Sequence, residues 1–175
     1  LSTTDAAQLV VVTSDEGPIT MGTPFYCAAD QRLYFSRRAD GRDADDHDLY
    51  SAALSMQAGD VHLKDIRPLT ALNEKGTFES QPTLDPTGRT IYFVSDRSGG
   101  LGGTDIWVSH RSSAQSNDWS APEDLGAPIN TACDELSPHI SGAAPNTFYF
   151  ASNGHETVGG YDLFKATIKD GKIGE

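Results

Sequence analysis

An all-β fold built from repeated four-stranded antiparallel units is what this chain predicts, on three observations. An apolar-aromatic triplet occurs three times, as Leu33-Tyr34-Phe35, Ile91-Tyr92-Phe93 and Phe148-Tyr149-Phe150, at spacings of 57 or 58 positions. An Asp-apolar-aromatic triplet follows each of them, as Asp48-Leu49-Tyr50, Asp105-Ile106-Trp107 and Asp162-Leu163-Phe164, and both Asp-to-Asp steps are 57. The composition agrees: 17 Gly and 9 Pro against two Met suit short strands punctuated by turns better than long helices. Self-similarity at a fixed period marks a repeat architecture.

Within the first unit the predicted strands are 24–29, 32–37, 48–54 and 64–69, each short and bounded by turn residues, as in a meander. Pro24, Pro82 and Pro138 precede the first triplets in register, and Asn73 and Asn130 follow Leu72 and Ile129. Four strands per unit make one blade of a β-propeller. A blade packs both faces against its neighbours, so the adjacent aromatics Tyr34 and Phe35 can each meet apolar surface. Gly99-Gly100, Gly102-Gly103 and Gly159-Gly160 lie between second and third strands and read as turns, not as phosphate cradles.

The expected division is blade 1 over 24–80, blade 2 over 81–136 and blade 3 over 137–175, the last without its outer strand. Residues 8–23 are read as the outer strand of a preceding blade, 8–12, followed by a connecting loop. Propellers have about four to eight blades. Three therefore imply either part of a longer propeller chain, the favoured reading, or half of a six-bladed homodimer joined head to tail.

Thirteen basic and 25 acidic residues give a net charge of −12, which repels a phosphate backbone and excludes nucleic acid as the expected partner. No apolar run reaches the ~20 residues of a membrane-spanning helix. Cys27 and Cys133 stand at non-equivalent positions of different repeats and make no disulfide framework.

The run from Gln81-Pro82 to Phe93, continued by Ser95-Asp96-Arg97-Ser98-Gly99-Gly100 and Thr104-Asp105-Ile106-Trp107, resembles the WD40-like, TolB-like propeller repeat of bacterial envelope proteins. Trp119-Ser120-Ala121-Pro122, Ile129-Asn130-Thr131, Asp134-Glu135-Leu136-Ser137-Pro138 and Ser152-Asn153-Gly154-His155 look like the form found beside OmpA-like, peptidoglycan-binding domains. The resemblance spans about residues 24–172. Blade 1 departs from it by replacing the Gly-Gly turn with residues 39–47, and blade 3 by Ala144-Pro145-Asn146 in place of an Asp-Gly turn. The resemblance implies a non-catalytic scaffold in the periplasm, or associated with the outer membrane, of a Gram-negative bacterium, with an envelope protein or peptidoglycan-associated complex as partner.

Three groups of residues are candidates for chemistry. Arg97, Asn153 and His155 fall in equivalent turns after the second strand, where propeller loops could present ligand contacts. Asp48, Asp105 and Asp162 hold equivalent positions in differently lined loops, which favours a structural role capping loop backbone. Asp40, Asp43 and Asp45, with Asp46 and Asp48 beside them, offer oxygen ligands to Ca²⁺ in a spacing that fits no EF-hand, so at most a weak Ca²⁺ site is expected and no other cofactor.

Enzyme motifs are incomplete. The five histidines, at 47, 62, 110, 139 and 155, form no HExxH pattern, and no GxSxG elbow occurs. Thr83-x-Asp85 through Gly88-x-Thr90 approximates an Asp-box turn with one residue inserted. A carbohydrate-active propeller is the alternative reading, with Asp134-Glu135 supplying an acid but nothing identifying the second carboxylate such chemistry needs. Glu79 and Glu135 recur before the first strand, a pattern that suits structure.

Overall fold

The computed structural model describes residues 12–38, 46–57, 59–141, 147–169 and 172–174. Among them there is no helix; the chain forms three consecutive, largely antiparallel sheets. The first contains β1 (Val12–Ser14), β2 (Gly22–Cys27), β3 (Arg32–Arg38), β4 (His47–Gln57) and β5 (Asp60–Pro68), in the order β1-β5-β4-β3-β2. The second contains β6 (Glu79–Leu84), β7 (Thr90–Ser95), β8 (Asp105–His110) and β9 (Glu123–Asp124), and the third β10 (Glu135–Ser141), β11 (Thr147–Ser152), β12 (Asp162–Lys169) and β13 (Lys172–Gly174), each in sequence order.

The two triplet families explain the stacking. Alternate residues of a strand face opposite ways, and the central strands β7 and β8 are apolar on both faces. Ile91, Phe93 and Trp107 pack with Tyr34 and Leu49 of the first sheet. Tyr92, Val94, Ile106 and Val108 pack with Phe148, Phe150 and Ile140 of the third. The second sheet is thus sandwiched, and two cores form where adjacent triplets meet. Phe35, Ala52 and Leu63 bury the far face of the first sheet under Ile19 and Met21.

Two strand positions differ from the sequence reading. The third sheet has a fourth strand: Ile168 pairs with Ile173 and Lys169 with Lys172. The signal was the Asp170-Gly171 dipeptide, which is the composition of a two-residue hairpin connection. At the other end, Val12 to Ser14 runs parallel to β5, with Val12 opposite Val61. This strand belongs to the first sheet, as a fifth member, where the sequence reading assigned 8–12 to a preceding blade. Residues 8–11 lie outside the described residues.

The strands β2, β6 and β10 are each at one edge of their sheet and lie side by side, β2 against β6 and β6 against β10. Their shared edge positions the site described next.

Candidate functional site

Each of these inner strands carries the same irregularity at its proline. Pairing with the following strand slips between Gly22 and Phe25, between Ser80 and Thr83, and between Leu136 and His139. A β-bulge of this kind re-aims side chains and interrupts the ladder. The residue before each proline has positive φ: 45° at Thr23, 54° at Gln81 and 53° at Ser137. That region is costly for side chains other than Gly and Asn, most of all for a β-branched one such as Thr23.

Side chains hold the three bulges in line. The Gln81 backbone N–H donates to Thr23 Oγ1 at 3.0 Å, and the Ser137 N–H donates to Gln81 Oε1 at 2.5 Å. Ser80 Oγ donates to Ser36 Oγ at 3.0 Å beneath the first link. The three tripeptides beginning at Thr23, Gln81 and Ser137 line one open groove of about 380 Å³. Thr83, the last residue of the second tripeptide, is only 2% exposed, and its Oγ1 has no hydrogen-bond partner. Clustered backbone strain and an unsatisfied buried hydroxyl are features that concentrate at functional sites. The sequence gives no warning of this backbone at the residues before the three prolines, because Thr, Gln and Ser carry no signature of positive φ.

Arg97 and His155 occupy the same place in successive sheets. Arg97 Nη2 donates to the Leu72 carbonyl, and its guanidinium lies 5.2 Å from the Phe93 ring and 5.3 Å from Trp107. His155 Nε2 donates to the Ile129 carbonyl at 3.0 Å between the rings of Phe150 and Phe164. Both are plugs over the end of a sheet. Arg97 also pairs with Glu79 at 3.0 Å. Asn153 Oδ1 accepts the Asp134 N–H at 2.8 Å, as Asp96 Oδ1 accepts that of Phe78 at 2.8 Å. The structure places all three turn candidates in contacts that join neighbouring segments.

Glu79 and Glu135 open β6 and β10 and are fully buried. Glu79 accepts from Ser95 Oγ at 2.9 Å, from the Glu74 N–H at 3.2 Å and from Thr77 Oγ1, in addition to Arg97. Burial pushes its carboxyl upward, and these donors only partly offset that. Glu135 accepts from Ser152 Oγ at 2.6 Å and from the Thr131 N–H and hydroxyl at 2.8 and 2.7 Å. Asp134 Oδ1 accepts the Thr104 N–H at 3.0 Å. The Asp-box-like segment closes a local turn: Asp85 Oδ1 accepts the N–H groups of Arg89 and Thr90, both at 2.8 Å.

Asp48, Asp105 and Asp162 share one register, opposite Arg37, Ser95 and Ser152. Asp105 Oδ2 accepts the Gly102 N–H at 3.0 Å and Asp162 Oδ2 that of Val158 at 2.7 Å, so both cap the turn before their strand. A Cβ on Gly100 would collide with the Asp105 carboxylate, and one on Gly102 with the Cys133 carbonyl. Asp105 is buried and its Oδ1 lacks a partner; burial pushes its carboxyl upward, with a further push from Asp124 and Glu135. The strand residue after this Asp is clasped by an amide: Asn130 accepts the Ile106 N–H at 3.0 Å and donates to its carbonyl at 2.9 Å, and Asn73 does the same to Leu49 at 2.8 and 3.0 Å.

The Ca²⁺ candidates Asp40, Asp43 and Asp45 lie outside the described residues. Asp46 Oδ2 accepts the Gly76 N–H at 3.1 Å. Among the described residues no cluster of three or more His, Cys, Asp or Glu is arranged to hold a metal ion. Cys27 is buried, Cys133 is exposed, and neither is in a disulfide. No helix among the described residues is long and apolar enough to cross a membrane.

No protein-family model matches the chain, and no curated protein matches it. Among solved structures it is similar to the inulosucrase from Halalkalicoccus jeotgali bound to kestose, with a TM-score of 0.47 and 14% identity, over 86% of this chain and 50% of that one. The chain thus spans about half the length of that structure.

Proposed function

We propose that this chain is a β-propeller segment of the TolB-like, WD40-like type, each sheet being one blade, and that it serves as a non-catalytic binding scaffold in the bacterial cell envelope. The observation that carries the reading is the alignment of Thr23, Gln81 and Ser137 on three inner strands around a common groove. Strain repeated at equivalent positions, and tied together by Gln81, argues for a surface built by the repeat as a whole. Two recurring acids are unsuited to glycosidase chemistry: Glu79 and Glu135 are buried acceptors of several hydrogen bonds each. A pair flanking an open sugar site is what such chemistry requires.

The periplasmic or outer-membrane setting, and a partner among envelope proteins or peptidoglycan-associated complexes, follow from the resemblance of the repeat and its flanking motifs. Incubation of the purified chain with isolated peptidoglycan sacculi and with purified envelope proteins tests the reading. Saturable retention on either is expected. Release of new reducing ends from sacculi or from a panel of oligosaccharides would replace the scaffold with a carbohydrate-active enzyme.

A further inference from the structure

We infer that the groove between the three inner strands is a binding site for a short, neutral, hydroxyl-rich ligand, a mono- or disaccharide in chemical class. The inference rests on the reading of the chain as a binding module and names what that module takes.

The lining decides the class by elimination. No Lys or Arg faces the groove, and a chain of net charge −12 repels anions, so phosphate or sulfate is a poor occupant. No carboxylate lines it either, which leaves a hard cation without its ligands. A peptide adding as a further strand needs a continuous row of backbone donors and acceptors. Here the prolines at 24, 82 and 138 have no N–H, and a bulge sits at each. What remains is a wall of hydroxyl, amide and imidazole groups that donate and accept: the hydroxyls of Thr23 and Ser137, the Gln81 amide and the His139 imidazole. Sugar hydroxyls have the same dual capacity. Phe25 and the prolines supply apolar surface for the C–H face of a pyranose ring.

Two observations point to a ligand independently of the lining's composition. The backbone is held at positive φ at Thr23, Gln81 and Ser137 around the groove, strain of the kind that concentrates at ligand clamps. The volume, about 380 Å³, falls within the range of small-molecule sites, which begins at about 300 Å³. The His139 ring is exposed at the rim, and Gln81 is already held by its bond to Ser137, so part of the site is preorganised.

The test is a titration of the full chain, ¹⁵N-labelled, with cellobiose, maltose, sucrose and N,N′-diacetylchitobiose. Inorganic phosphate, Ca²⁺ and an extended hexapeptide run as parallel arms. At least one saccharide is expected to shift the amide signals of Thr23, Gln81, Thr83, Ser137 and His139 in a saturable way. Phe25→Ala should weaken that binding by about tenfold, the equivalent of one lost favourable contact. His139→Ala, at an exposed position of the rim, should weaken binding while leaving the spectrum folded and the melting temperature unchanged. Saccharide shifts confined to other parts of the chain, a response only to phosphate, Ca²⁺ or peptide, or no response at all would overturn the groove assignment and leave the scaffold reading standing. Turnover of a bound saccharide would overturn the non-catalytic reading and leave the groove assignment standing.

Discussion

The side chain of Gln81 accepts the backbone N–H of Ser137 at 2.5 Å across two sheets, while its own N–H is donated to Thr23 Oγ1 at 3.0 Å. Gln81 is therefore the middle link of a chain running across all three inner strands. Gln81→Ala removes the acceptor for Ser137, and a hydrogen bond of this kind contributes about 0.5–1.5 kcal/mol. Urea denaturation should report a loss of that size. Gln81→Glu, which keeps an oxygen at the same reach, should restore most of it; equal losses in the two variants would show that the link carries no stability.

Thr23 permits a sharper separation of strain from bonding. At φ 45° a β-branched residue is disfavoured, whereas Asn tolerates positive φ and its side chain offers an oxygen. Thr23→Asn is expected to stabilise the fold by a few tenths to about 1 kcal/mol, on the scale of a relieved backbone conformation. Thr23→Ala keeps the strain, loses the acceptor and should destabilise. The two variants moving the midpoint in the same direction would contradict this account.

Arg97 lies over Phe93 and Trp107 with its charge against fully buried Glu79, and only 7% of its side chain is exposed. Truncating one partner of a buried ion pair strands the other, at a cost of about 3–5 kcal/mol. Arg97→Ala should fall in that range. His155→Ala removes one hydrogen bond to a carbonyl and the ring contacts with Phe150 and Phe164 but strands no charge, so about 1–2 kcal/mol is expected there. Calorimetric melting of both variants gives the comparison, and a larger loss at His155 would reverse the assignment of Arg97 as the stronger plug.

Much of this architecture was legible in the sequence because the triplets are hydrophobic on both faces and recur every 57 or 58 positions. The predicted strands 32–37 and 48–54 fall inside β3 and β4, and Asp48, Asp105 and Asp162 share a register. The orientation of turn residues was less accessible. Arg97 and His155 look like displayed polar groups, and only the positions of the Leu72 and Ile129 carbonyls reveal that they point inward. The inner groove was invisible for a different reason: a bulge at Gln81-Pro82 is a backbone event, and sequence marks such events reliably only when Gly or Asn supplies the positive φ.

Asp105 makes the stability depend on pH with a definite sign. Burial raises its folded carboxyl above the unfolded value of 3.8, so folding favours the protonated form. Its contribution is fully present below the unfolded pKa and is lost as pH rises through the folded one. Melting temperatures of the wild-type chain and Asp105→Asn, measured from pH 3 to pH 7, should therefore diverge in the variant's favour as pH increases. A constant difference across that window would mean that Asp105 titrates alike in both states. Asp105→Ala, which leaves the Gly102 N–H without its acceptor, should cost about 1–3 kcal/mol at low pH, where no charge offsets the loss.

Leu163 is the register equivalent of Leu49 and Ile106, the apolar member of the Asp-apolar-aromatic triplet, yet it is 74% exposed where both others are 0%. Leu49 and Ile106 are covered because another sheet packs over them: the second sheet over Leu49, the third over Ile106. Val158 and Tyr161, also exposed, lie just before Leu163 in the chain. In the propeller reading this is the face on which a further sheet would stack. Ile106→Ala removes buried methyl groups from a packed core and should cost about 2–5 kcal/mol. Leu163→Lys changes an exposed position and should stay within about 0.5 kcal/mol of the wild-type chain by urea denaturation. Sedimentation velocity over a concentration series adds the second half of the test: if Leu163 nucleates stacking of copies, the wild-type chain associates with increasing concentration and Leu163→Lys does so less. A Leu163→Lys penalty as large as that of Ile106→Ala in the dilute, monomeric chain would mean that the face is already covered within one molecule, and the equivalence with Ile106 would then extend to burial as well as register.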